Sequence, residues 1–174
     1  IGHPMSDTFI IAARLRLKKG AVQTWLRSPW PKDQVMDGLE SLVDGGAWTG
    51  LGGLRPLAEP PRSVRHGLAA LADGIATDES GVFVCAWNGA ARAVLLYHVM
   101  IGWQPEAAAR TLYALAAASD HWTAKTPAKV ILCAETSGRL SEDGCLAMLS
   151  IDGDGARFDT GSWKRGLADL APAE

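Results

Sequence analysis

The stretch CAWNGAARAVLLYHVM, residues 85–100, sets an Asn-Gly pair between two apolar runs. Both residues tolerate positive φ, so positions 88 and 89 predict a two-residue type I′ turn that closes a β-hairpin over about 81–101. In that register Trp87 faces Ala90, Cys85 faces Arg92 and Phe83 faces Val94. Side chains alternate along a strand, so Val82, Val84, Ala86, Ala91, Ala93, Leu95, Tyr97 and Val99 share one face. Phe83, Cys85, Trp87, Val94, Leu96, His98 and Met100 share the other. Both faces are largely apolar. The expectation is a central hairpin, covered on both sides by the domain or on one side by a partner.

Working upstream, residues 8–18 alternate: Phe9, Ile11, Ala13, Leu15 and Leu17 on one side, Arg14, Arg16 and Lys18 on the other. This reads as a strand with one wet face. A short helix follows over GAVQTWLR. A longer one is expected over SPWPKDQVMDGLESLVDGG, residues 28–46, opened by prolines and closed by Gly45-Gly46. Its apolar stripe is Val35, Met36, Leu39, Leu42 and Val43, which leaves Asp33, Asp37, Glu40 and Asp44 as an acidic stripe beside it. The Gly- and Pro-rich stretch 45–61 reads as a long loop. Helix resumes with Val64, Leu68, Leu71 and Ile75 at 4-3-4 spacing.

Downstream of the hairpin, QPEAAARTLYALAAASDHW predicts a helix with Pro105 in its first turn, Ala-rich enough to lie close on a sheet. AKVILCAE and GCLAMLSID predict two strands, ARFD a short edge strand after the turn at 152–155, and SWKRGLADLA a last helix capped by Ser162. The element order β-α-α-α-β-β-α-β-β-(β)-α describes an α+β single domain with a mixed, largely antiparallel sheet packed by helices. Residues 1–4, ahead of Met5, read as a cloning remnant; that leaves 5–174 as the domain and removes His3 from consideration.

Composition narrows the partners. A chain of 174 residues with 48% apolar content suffices for one core. A formal charge of -2 disfavours nucleic acid and anionic membrane, since either rewards clustered Lys and Arg. With no apolar run of about 18 residues and no signal-like start, the expected location is the cytoplasm. Cys85, Cys133 and Cys145 are odd in number and lack CxxC spacing; each sits in an apolar run, as reduced, buried thiols without a functional role would.

No motif announces chemistry. A lone His98 between Leu96 and Met100 is the pattern of a hydrogen-bonded core residue. Asp120-His121 at a helix end is explained by the helix dipole, and His66 lies on an exposed helical face beside Arg62 and Arg65. The histidines and cysteines show no metal-ligand spacing, and DGDGARFDTGSW departs from a calcium loop at Ala156 and Trp163. GGAWTGLGGL lacks the Lys of a phosphate loop, so no cofactor is expected. Glu135, Glu142, Asp143, Asp152 and Asp154 gather carboxylates at strand ends, where they are ordinarily solvated.

Surface remains. The chain has seven tryptophans, and Trp25, Trp30 and Trp48 fall around the acidic helix and the Gly-rich loop. Trp buries large area at small conformational cost, and an acidic rim steers a basic protein. The expected partner site is therefore Asp33, Asp37, Glu40, Asp44, Trp30 and Trp48; the competing explanation is that the rings seal the loop onto the core. In size, acidity and aromatic-acidic surface the chain is similar in kind to immunity proteins of bacterial toxin systems. The α-β-β-α-β-β-α order of residues 63–170 loosely resembles secretion chaperones. Both resemblances imply a protein that acts by occupying a partner protein. The alternatives are a small enzyme using His98 or His121 with a strand-end carboxylate, or a ligand-binding regulatory module. A cavity of several hundred Å³ containing either histidine would favour those alternatives.

Overall fold

The computed structural model describes residues 8–32, 57–135 and 145–159. Within them six strands form one antiparallel sheet: β1 (Thr8–Leu15), β2 (Gly81–Asn88), β3 (Ala93–Ile101), β4 (Ala128–Glu135), β5 (Cys145–Asp152) and β6 (Gly155–Asp159). The spatial order is β2-β3-β1-β4-β5-β6. Three helices, α1 (Lys19–Arg27), α2 (Val64–Asp78) and α3 (Pro105–Ala116), pack with the sheet, giving an α+β fold; a 3₁₀ turn over Ala117–His121 extends α3. The opening of the anticipated acidic helix, residues 28–32, is not helical, Pro29 bridging to Ser63; the rest of it and the last helix lie outside the described residues.

β1 stands in the middle of the sheet, between β3 and β4. Phe9, Ile11, Ala13 and Leu15 enter the core cluster shared with the helices. The opposite side is dry too, for Ile10 and Ala12 are buried. The strand stops at Leu15, so of the three basic residues that suggested a wet face only Arg14 falls within it.

The hairpin is present with a different turn. Trp87 faces Val94, Cys85 faces Leu96 and Phe83 faces His98, a slide of four residues along β3 from the two-residue-turn register. A type I′ turn needs positive φ at both 88 and 89. Here Asn88 stays in the strand, its Oδ1 accepting the Ala91 N–H at 2.9 Å, and the left-handed residue is Arg92 at φ 49°. The loop thus spans residues 89–92. Four is an even number, so the faces survive the slide unchanged. The hairpin ends the sheet: β2 is the outermost described strand on its side, and β1 separates β3 from β4.

The helices follow from their spacing and caps. The Ser63 hydroxyl accepts the His66 N–H at 3.2 Å and starts α2; Val64, Leu68, Leu71 and Ile75 are buried along one side, and Glu79 at φ 51° ends it. In α3, Pro105 opens the first turn, and Ala108, Ala109, Leu112 and Leu115 let it sit close on the sheet. The chain leaving α1 is tied to the entry of α2 through a bridge between Pro29 and Ser63, with the Val64 N–H donating to the Ser28 carbonyl at 3.0 Å.

Gly67 is required there by packing. A Cβ at this position would run into the buried Trp30 ring and meet Pro61 Cγ at 3.2 Å. Gly67→Ala is expected to destabilise the protein by about 1–2 kcal/mol despite its better helix propensity, because overpacking outweighs that gain. Gly74, in the same helix with open space around it, is expected to respond oppositely, Gly74→Ala stabilising by about 0.5–1 kcal/mol. Paired urea melts read the difference, and equal shifts for the two variants would refute the steric account.

Candidate interaction surface

Of the residues expected to meet a partner, Asp33, Asp37, Glu40, Asp44 and Trp48 lie outside the described residues. Trp30 belongs to the core cluster and is 4% exposed, its ring laid against Gly67. Trp25 is fully buried as well, its indole Nε1–H donating to the Ala114 carbonyl at 2.9 Å. Both rings serve to join α1 and the segment behind it to the rest of the core.

His98 points from β3 into the helix side of the sheet and is fully buried. The Thr111 hydroxyl donates to the Ala107 carbonyl at 3.0 Å, so its oxygen accepts from His98 Nδ1–H at 2.8 Å. This leaves Nε2 as a bare acceptor, buried and without a hydrogen-bond partner. Phe83 meets the ring edge-on at 5.6 Å between centroids. Burial holds the imidazole pKa down, from 6.5 to about 4, so the ring is neutral at physiological pH.

His121 has a different neighbour from the carboxylate that the enzyme reading calls for. Its Nε2 lies 2.6 Å from Ser28 Oγ, while the Ser28 hydroxyl donates to the Thr24 carbonyl at 3.0 Å. The imidazole therefore donates and the serine oxygen accepts. In nucleophilic catalysis the serine proton must instead point at the histidine. The contact ties α1 to the 3₁₀ turn. His66 Nδ1 lies 2.6 Å from the Ser63 hydroxyl at the start of α2.

Among the strand-end carboxylates, Asp152 is engaged in its own hairpin. Its side chain accepts the Asp154 N–H at 2.9 Å and pairs with Arg157 at 2.8 Å. The backbone N–H first, and the guanidinium after it, hold its pKa below the usual carboxylate value. Glu135 ends β4; Glu142 and Asp143 lie outside the described residues. Among the described residues no group of three or more His, Cys, Asp or Glu could hold a metal ion. Cys133 is buried, and Cys85 is half-buried with its thiol pushed up to about 11 by desolvation.

Two open grooves flank α2. One of about 600 Å³ runs between α2 and α3 past Leu71, Gly74, Ile75, Gln104, Ala107 and Arg110. The other, of about 400 Å³, lies between β2 and the helices, past Val22, Leu26, Leu68, Phe83, Cys85 and Trp87. Neither is lined by His98 or His121.

The surface feature that remains is on the opposite side of the hairpin. Val82, Val84, Tyr97 and Ile101 are 56%, 48%, 39% and 60% exposed, and they are the large apolar side chains that stand out among the described residues. Register makes them neighbours: Val84 faces Tyr97, and Val82 faces Val99, whose own neighbours in β3 are Tyr97 and Ile101 on the same face. Farther along this face the sheet is dry, with Ile10, Ala12, Ile131, Cys133 and Met148 buried. The signal for this patch is the apolar character of both hairpin faces. Comparison with protein-family models, curated proteins and solved structures finds no match for this chain.

Proposed function

We propose that the chain is a protein-binding module that works in the cytoplasm by occupying another protein, in the manner of an immunity or escort factor. The observation that carries this reading is the apolar patch of Val82, Val84, Tyr97 and Ile101 on the β2–β3 end of the sheet. Contiguous exposed apolar surface is costly to keep in water and marks interaction sites. The positions of the two histidines, away from both grooves and engaged by Thr111 and Ser28, favour this reading over small-molecule chemistry. Asp33, Asp37, Glu40, Asp44 and Trp48 are assigned from the sequence to the same task, as an acidic rim that speeds association with a basic partner and loses that effect as salt screens it. Among the described residues no helix is long and apolar enough to cross a membrane.

The test is a double substitution, Val84→Asp with Tyr97→Asp, in exposed positions where folding is preserved. Proteins retained from a native lysate on the immobilised parent are identified, and their affinity for both forms is measured. Loss of one partner's binding by at least about tenfold, about 1.4 kcal/mol, at an unchanged melting temperature supports the reading. Retention of every partner by the variant overturns it.

A further inference from the structure

The two ends of the described sheet are built differently. β6 is five residues long and contains Arg157 and Asp159. β2 is eight residues long, GVFVCAWN, with neither a charge nor a proline in it. Edge strands are ordinarily blunted by shortness, charge, proline or a bulge, since alternate residues direct their N–H and C=O groups outward, ready to pair. β2 shows none of these devices, and among the described residues nothing pairs with its open side.

Beside that edge, on the helix side, lies the groove of about 400 Å³. Phe83, Cys85 and Trp87 project into it from alternate positions of β2, and Val22, Leu26 and Leu68 face them from α1 and α2. An added strand would run about 4.8 Å from β2 and point every second side chain into this groove, at spacings of about 6.7 Å. Arg65 is the charged residue among those lining it; its guanidinium reaches Gln23 Oε1 at 3.4 Å and no carboxylate among the described residues.

Resting on the reading of the chain as a protein-binding module, we propose that β2 receives an extended segment of a partner protein as an added strand, apolar at alternate positions and with an acidic residue that meets Arg65. This is recognition by strand addition: backbone hydrogen bonds supply affinity, and the groove selects side chains. Charge separates this occupant from a second copy of the chain, because β2 has no acidic residue to offer Arg65.

The probe is a library of random dodecapeptides displayed on phage and selected against the immobilised native chain. Selected sequences are expected to alternate apolar residues and to fix an Asp or Glu at one position. Selection against Arg65→Glu is expected to exchange that residue for Lys or Arg. With the parent's best peptide made synthetically, N-methylation at one set of alternate amides is expected to weaken binding by about tenfold or more, and at the other set to leave it unchanged. Val84→Lys, at an exposed edge position, is expected to weaken the same peptide without lowering the melting temperature. Sequences without alternation, an affinity indifferent to Arg65→Glu, or N-methylation tolerated at every amide would each overturn strand addition. So would self-association in sedimentation that Val84→Lys abolishes, which would identify a second copy as the occupant. If those results come with partner binding that still depends on Val84 and Tyr97, the broader protein-binding reading survives and only the strand-addition mode is lost.

Discussion

Trp25→Ala is expected to remove about 3–5 kcal/mol of stability, the range for emptying a large aromatic site in a core. Trp25 is fully buried, and it joins α1 to both the core and the C-terminal turn of α3 through the 2.9 Å bond from its indole to the Ala114 carbonyl. The substitution opens a cavity and deprives a buried carbonyl of its donor, two costs that add. Trp25→Phe keeps most of the apolar contact and loses only the donor, so a smaller loss of about 1–3 kcal/mol is expected. Urea denaturation of both variants measures the pair. Since small domains are stable by only about 5–15 kcal/mol, the alanine form should unfold at far lower denaturant than the parent. Trp25 also lines the groove beside β2, so peptide binding should weaken along with stability. A loss below about 1 kcal/mol for Trp25→Ala would show that α1 is not anchored by this ring.

The second large effect is acid destabilisation through His98. Its native pKa is lowered to about 4 from 6.5, because a protonated ring would bury a charge whose Nε2–H has no acceptor. Above pH 6.5 both native and unfolded chains keep the ring neutral and the group contributes no pH dependence. As pH falls from 6.5 to about 4 the unfolded chain takes up a proton that the native protein does not, and stability drops with it. Below about pH 4 both states are protonated and this contribution levels off. At 1.36 kcal/mol per unit the total is about 3 kcal/mol. His98→Gln separates it from the acid response of the carboxylates. At pH 7 the variant is expected to be about 1–3 kcal/mol less stable, through disruption of the Thr111 contact. Between pH 7 and pH 4 the gap should move by about 3 kcal/mol in favour of glutamine. A gap that stays constant over this range would mean that His98 titrates normally, and a normally folded His98→Gln protein that has lost partner binding would assign the ring a functional part.

Of the exposed patch, the sequence showed only the apolar character of the hairpin face; the surface it selected was Asp33, Asp37, Glu40, Asp44, Trp30 and Trp48. The hairpin's two apolar faces follow from alternation alone, which left open whether the domain covers both of them or a partner covers one. The choice of Trp30 as a surface anchor did not allow for Gly67, which makes room for the ring one helix away. Likewise, that His121 would meet Ser28 rather than a carboxylate could not be read across a separation of 93 positions.

Among the described residues, the sequence by itself located the helices and strands and the side chains that share a face, though it carried β1 three residues past its end at Leu15. β4 and β5 keep the bounds their apolar runs suggest within a residue, and α2 buries the four residues its spacing selected. These are local consequences of 3.6- and 2-residue periods, and parity even survived a loop of four residues replacing a turn of two. Only the tertiary structure decided that the hairpin stands at one end of the described sheet and β1 at its middle. An apolar strand face looks the same in sequence whether its cover is another strand, a helix or a partner protein. Strand order is set by contacts between segments far apart in the chain, whose competing arrangements differ little in loop-closure entropy. The exposure of Val82, Val84, Tyr97 and Ile101, and the place of β2 at the edge of the described strands, are consequences of that order.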